Sequence, residues 1–281
     1  MKKHIISYAT PDYFKNQKKL NKSALAYGVN TTESYNLVKL KKTPFYRENK
    51  LILDQKRGAG YWLWKPYIIL DYISQLSSDE MLIYSDVGIE IITDISPLID
   101  LCHTQRGILL FRNHGNLNRS WTKRDCFVLM GCDTEMYYNC EQIVASFQVY
   151  IKTEMSIDFL KDYLGYCQQA NILTDLPNTS QLNNLPEFVD HRHDQSVLSL
   201  LAAKYEIEIF RDPSQFGNHM KTVDLREPGE WKSMPYSNAT YINSPYPTLL
   251  NHHRERPLKP IDQIKHYLRK LKQKGGRLNG I

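Results

Sequence analysis

Residues 81–88 read MLIYSDVG. The first five are apolar or small, too few for a helix, and make a short strand buried on both faces. The run ends on Asp86, then Val87, then Gly88, which has no side chain. Doubly buried strands belong to sheets covered by helices, and the surrounding segments fit that pattern. Residues 4–9 form another short β-rich run, and residues 12–27 read as a helix that starts after Pro11 and stops near Gly28. Residues 62–76 have helical spacing with Pro66 in the first turn. Strands are predicted at 89–92, 107–111, 144–152 and 207–210, and helices at 122–130, 156–169 and 194–205. Residues 29–57 mix both patterns, and 172–186 and the proline-rich 211–250 read as loops. The alternation predicts an α/β sandwich with a mostly parallel central sheet. Such sheets hold ligands beyond the carboxyl ends of their strands. The chemistry is therefore expected just after residue 85 and where the 194–205 helix opens.

Composition narrows the class. In 281 residues, 42% are hydrophobic and 23% charged, enough apolar side chain for a packed core and too much for a disordered chain. No stretch reaches the roughly 18 apolar residues that span a bilayer. The opening MKKHIISYA reads as a first strand rather than a signal peptide. Five cysteines, at 102, 126, 132, 140 and 167, include no C-x-x-C pair. That excludes a disulfide scaffold and a zinc knuckle, and predicts reduced thiols in a cytoplasmic protein.

Charge is concentrated at one end. From Arg254 onward there are nine lysines and arginines against two acids, so this tail carries +7 of a whole-chain +6 and the first 253 residues carry −1. The body is too neutral for a broad nucleic-acid face. Two units are expected: a domain over 1–253 and a basic tail over 254–281. Ile261, Ile264, Leu268 and Leu271 are helically spaced among basic residues, which predicts a C-terminal helix. That helix either lies on an anionic membrane surface through residues 261–277 or docks on the body with a solvated basic face.

Four constellations carry chemistry. Asp86 at a strand end can hold a divalent cation shared with phosphate oxygens, while Gly88 allows close approach; a turn-capping Asp is the plain alternative. The cluster His191-Arg192-His193-Asp194-Gln195-Ser196 precedes an apolar helix whose N-terminus favours anions. It could meet phosphate or sugar hydroxyls, serve as a metal-ligand set, or simply cap the helix. The stretch GAGYWLWKP at 58–66 is not a P-loop. Its tryptophans suit the core and its Lys65 suits a phosphate. Asn251-His252-His253-Arg254 could reach back to a metal or diphosphate, or be a surface pair. The basic Trp121-Thr122-Lys123-Arg124-Asp125 stretch opens a helix that could face the same cleft.

The combination of GAGYWLWKP at 58–66, YSDVGIEI at 84–91, TKRD at 122–125 and HRHDQSVLS at 191–199 resembles a group of bacterial and viral glycosyltransferase-like proteins found among capsule and lipopolysaccharide genes. The resemblance spans about residues 1–220. It implies a GT-A fold, a Rossmann-type single α/β domain that binds a nucleotide-sugar and carries a D-x-D motif after a central strand. Asp86 matches the first acid and Gly88 stands in place of the second, so Mn²⁺ or Mg²⁺ would need a further ligand such as His252 or His253. The resemblance implies that Tyr8, Ala9 and Thr10 meet the base and ribose. Lys65, Ser85, Asp86, Gly88, Lys123, Arg124, His191 and His193 would surround the diphosphate. Asp194 and Gln195 would act at the sugar, and Asp86 with His253 would hold the metal. The implied function is sugar transfer to a glycan or lipid-linked glycan in surface polysaccharide synthesis, at the cytoplasmic face of a membrane. Two other classes compete. One is a metal-dependent hydrolase or phosphoesterase built on His191, His193 and Asp194; the other is a non-catalytic nucleotide-sugar-binding module.

Overall fold

The computed structural model describes residues 1–223, 231–235 and 242–253. The central sheet has seven strands in the order β2-β1-β3-β7-β5-β6, with β8 alongside β5. They are β1 (Lys3–Tyr8), β2 (Thr31–Tyr35), β3 (Met81–Ser85), β5 (Ile108–Leu117), β6 (Glu141–Ile143), β7 (Phe147–Ile151) and β8 (Ile209–Phe210). Strand β4 (Ile89–Ile91) lies outside the sheet and pairs with β11 (Leu250–His252). A hairpin of β9 (His219–Val223) and β10 (Trp231–Pro235) completes the strands.

The pairs β1–β2, β1–β3 and β5–β8 are parallel; β3–β7, β5–β7 and β5–β6 are antiparallel. Strands β1, β2, β3, β5 and β8 therefore run one way and only β6 and β7 the other, the mostly parallel sheet that the alternation predicts.

Strand β3 shows why it is apolar throughout. Leu82 and Tyr84 enter one core and Met81 and Ile83 the other, the two-residue period of a pleated strand. Helices α2 (Trp64–Ser74), α4 (Glu154–Cys167) and α5 (Asp194–Lys204) cover the first face, and α1 (Phe14–Ala26) and α3 (Ser96–Thr104) the second. Helix α4 starts on a reciprocal cap in which Thr153 and Ser156 each bond the other's backbone N–H.

Several elements differ from expectation. The mixed 29–57 segment holds β2 and short helical turns, the β9–β10 hairpin lies within the 211–250 stretch read as loop, and β6 and β11 form where no element is predicted. Each is a strand of five residues or fewer, too short for a local period to betray it. The predicted C-terminal helix and the whole 254–281 tail lie outside the described residues. Among the described residues no helix is long and apolar enough to cross a membrane. All five cysteines are free thiols.

Candidate active site

Strand order reverses at β1, whose neighbours β2 and β3 both follow it in the chain and lie on its opposite sides. A crevice opens beyond the carboxyl ends of strands at such a reversal. Here it is a cavity of about 660 Å³ lined by Tyr8, Ala9 and Thr10 after β1 and by Asp86, Val87 and Gly88 after β3. Three residues expected at the base and ribose thus share one cavity with two expected at the diphosphate. Tyr8 stacks on Trp64 with ring centroids 4.1 Å apart, and its buried hydroxyl has no hydrogen-bond partner among the described residues. Burial raises that phenol to about 12.

The far wall is the 58–62 segment, and its geometry is unusual. Gly58, Ala59, Gly60, Tyr61 and Trp62 all have positive φ, from 51° to 99°. A left-handed turn costs about 1–2 kcal/mol for each residue with a Cβ, so Ala59, Tyr61 and Trp62 store strain. The two glycines have a second reason: a Cβ on Gly58 would fall 2.3 Å from the Trp62 ring and one on Gly60 2.6 Å from Leu53 Cα. This turn, and not phosphate approach, explains the G-x-G. It leaves Trp62 half-buried, stacked on His193 and lining the cavity rather than sunk in the core, while Trp64 is buried and bonds the Gly58 carbonyl.

Helix α2 follows at once and plants Lys65 at the cleft floor. Its ammonium donates to Asp194 Oδ2 at 2.6 Å and lies 3.9 Å from Asp86 Oδ1. Burial works against the charge on Lys65, but Asp194 and Asp86 outweigh it and raise the amine, so it stays an ammonium. Burial raises the Asp194 carboxyl against the pull of Lys65. The Tyr163 hydroxyl donates to the same Oδ2 at 3.4 Å, and the Tyr84 hydroxyl donates to Asp86 Oδ1. Asp86 keeps 39% of its side chain exposed, whereas Lys65 and Asp194 keep 5% or less. Asp86 therefore faces the cavity, and the other two lie beneath it. Ser85 is buried and bonds the Asp86 carbonyl.

Asp194 opens α5, beside Gln195, whose amide donates to Gln142 Oε1 at 2.6 Å. Both residues line a smaller cavity with Lys65, Asp86, Arg57 and Ser146. A third cavity, about 210 Å³, shares Gln195, Ser146 and Arg192 with it and is bounded further by Asn113, Asn116, Trp121 and Asp212. The three cavities form one cleft with Asp86 and Asp194 at its centre.

Other expected residues do different work. The Lys123 ammonium is buried and donates to the carbonyls of Thr174 and Leu176, and burial lowers it. Arg124 pairs with Asp133 at 2.9 Å. Neither lines the donor-side cavities, so the basic 121–125 stretch braces the 174–193 loop instead of meeting a diphosphate. His191 accepts from the Lys123 backbone N–H and donates through Nε2 to the Ile172 carbonyl; burial holds it well below its ordinary value. His193 donates through Nδ1 to the Leu173 carbonyl. Both imidazoles are neutral props of the same loop, although their residues border the cleft. His191 has both ring nitrogens engaged, so it has none left for the metal that the hydrolase reading needs. Among the described residues no group of three His, Cys, Asp or Glu could hold a metal ion.

The 251–253 segment does return to the acid motif. Strand β11 sets His252 opposite Ile89, and the His253 N–H bonds the Gly88 carbonyl at 3.0 Å. A Cβ on Gly88 would meet nothing within 4 Å. The His253 backbone and open space at Gly88 thus lie beside Asp86.

Sequence reasoning missed Arg57, Gln142, Tyr84 and Tyr163. Tyr84 was visible as a hydroxyl two residues before Asp86. The others come together only through the fold.

No protein-family model and no curated protein sequence matches the chain. Solved structures do. The fold resembles mouse xyloside xylosyltransferase 1 in its apo form, with a TM-score of 0.51 and 10% identity over 92% of this chain and 100% of that one. A structure of the galactosyltransferase LgtC in complex with donor and acceptor sugar analogs gives a TM-score of 0.46 and 12% identity over 97% and 95%. The chain has the mixed α/β fold of GT-A glycosyltransferases.

Proposed function

We propose that this protein is a glycosyltransferase that moves a sugar from a nucleotide-sugar to a glycan or lipid-linked glycan acceptor in surface polysaccharide synthesis. The observation that carries this reading is the Asp86–Lys65–Asp194 array at the floor of a cleft open at both ends. The base and ribose lie against Tyr8, Ala9 and Thr10, the diphosphate passes Asp86 and Gly88, and the sugar reaches Asp194 and Gln195. The acceptor enters from the cavity of Asn113, Asn116, Trp121 and Asp212, whose planar polar side chains and aromatic wall suit a sugar ring.

Lys65 favours the ionised form of Asp194 against burial and fixes it in a dry site, where preorganised charge acts most strongly on a transition state. Both side-chain bonds to Asp194 go to Oδ2, which supports Oδ1 as the atom that meets a substrate hydroxyl. There it either removes the acceptor's proton, giving inversion, or holds the donor sugar, giving retention; the anomeric configuration of the product decides. Mn²⁺ or Mg²⁺, when bound by Asp86 and His253 together with the donor phosphates, would offset charge on the leaving diphosphate. The basic 254–281 tail would hold the enzyme at an anionic cytoplasmic membrane surface.

A thermal-shift panel of UDP-, GDP-, CMP- and dTDP-sugars, each with and without Mn²⁺, tests the reading. One nucleotide class at 100 times its Kd should stabilise the native state by about 2.7 kcal/mol, and the same donor should be hydrolysed slowly without acceptor. Binding with neither transfer nor hydrolysis would make the protein a binding module. No shift from any nucleotide would refute the proposal.

A further inference from the structure

Lys123 and Arg124 are spent on the 174–193 loop and on Asp133, which leaves the diphosphate passage short of the cations assigned to it. Lys65 is buried against Asp194, and the Arg192 guanidinium stacks on Trp121 at 4.1 Å. Arg57 is placed differently. It lines the same cavity as Lys65, Asp86 and Asp194, and 44% of its side chain is exposed. One terminal nitrogen pairs with Asp175 at 3.0 Å and the other with Asp190 at 3.0 and 3.3 Å. Both carboxylates belong to the loop that Lys123, His191 and His193 brace.

We propose that Arg57 is the diphosphate-binding cation of this cleft, held ready by Asp175 and Asp190. The inference rests on the donor reading of the cleft given above. A guanidinium carries five N–H donors in a planar fork, and the loop engages three hydrogen bonds' worth, so donors remain for a phosphate. Arginine suits that work because its fork matches two phosphate oxygens at once. The backbone supports the same assignment. Arg57 is the last residue before the five-residue left-handed turn, and Tyr61 within that turn donates to Asp175 at 3.1 Å. Strain of this kind persists only where surrounding contacts over-determine it, and it gathers at ligand clamps. The turn and the two carboxylates thus aim a flexible side chain before the ligand arrives, which lowers the ordering cost of binding.

Calorimetric titration with UDP, GDP and dTDP and with the matching nucleosides, at constant Mg²⁺, tests the assignment. With the diphosphate that the wild type binds, Arg57→Ala should weaken affinity roughly 10- to 100-fold, the worth of a charge-assisted contact. Arg57→Lys should fall between, and nucleoside affinity should not move. Asp190→Asn loosens the aim of Arg57 and should weaken diphosphate affinity by less than Arg57→Ala does. If Arg57 merely held the loop in place, Arg57→Ala would weaken nucleoside and diphosphate binding alike, and that result overturns the proposal. Wild-type diphosphate affinity in Arg57→Ala overturns it too, while leaving the donor reading intact. Failure of the wild type to bind any of the diphosphates overturns both.

Discussion

Two lysine-bearing segments, 58–66 and 122–125, each lead the chain into a helix. Their lysines end in opposite roles. Lys65 follows a left-handed turn that swings the chain across the cleft, and its ammonium meets two carboxylates, Asp194 and Asp86. Lys123 follows an extended residue, and its ammonium meets two carbonyls, those of Thr174 and Leu176. Carboxylates make a buried lysine a fixed charge beside a ligand. Carbonyls make it a strut, because they satisfy its protons without adding to the field at the site. Near a cleft, then, a lysine's partners and not its position along the chain decide whether it belongs to the chemistry.

The contrast breaks most visibly at Lys65. Lys65→Met leaves Asp194 buried without its counter-charge, a change that costs about 3–5 kcal/mol and should abolish donor turnover. Chemical denaturation and a donor-hydrolysis assay check both. A variant as stable and as active as the wild type would erase the distinction. Lys123→Met loses two hydrogen bonds to carbonyls and should cost about 1–3 kcal/mol, with donor affinity within a few-fold of the wild type. A selective loss of diphosphate affinity would return Lys123 to the cleft.

Asp125 sharpens the same comparison through pH. Burial raises this carboxyl, but bonds from the Thr179 and Ser180 backbone and the Thr179 hydroxyl outweigh burial and bring it down to about 2 from an ordinary 3.8. A folded-state value below the unfolded one gives stability that is present above pH 3.8 and lost as pH falls through about 2. Asp125→Asn should therefore cost roughly 1–2 kcal/mol at neutral pH, and the gap between variant and wild type should close as pH drops through that window. A gap that stays constant to pH 2 would mean that the carboxylate is not the loop's anchor.

Much of this was legible in the sequence, and for identifiable reasons. The MLIYS run, the Asp86 that ends it and the polar cluster that opens α5 are local signals, and the structure brings Asp86, Lys65 and Asp194 together. The resemblance points to Tyr8, Ala9 and Thr10, and those three residues line a cavity. The functions of Lys123, His191 and His193 were not legible, since their partners are backbone carbonyls at 172–176, which any sequence could supply. Arg57 was hidden for a related reason: its two carboxylates lie 118 and 133 residues away.

The smallest effect concerns Gly88. Gly88→Asp restores the missing acid where a Cβ meets nothing, so stability should hardly change while Mn²⁺ affinity in the presence of the nucleoside diphosphate rises about tenfold, roughly 1.4 kcal/mol. Unaltered Mn²⁺ affinity would show that residue 88 faces away from any metal.

The central claim is that sugar transfer takes place at Asp194 with Lys65 as its partner. It is tested most directly by giving wild type and Asp194→Asn the one nucleotide-sugar that stabilises the wild type, and measuring both donor affinity and nucleoside diphosphate release. The predicted result is donor affinity within a few-fold of wild type and release slowed by roughly 10²-fold or more. Release at the wild-type rate from a correctly folded Asp194→Asn protein would contradict it.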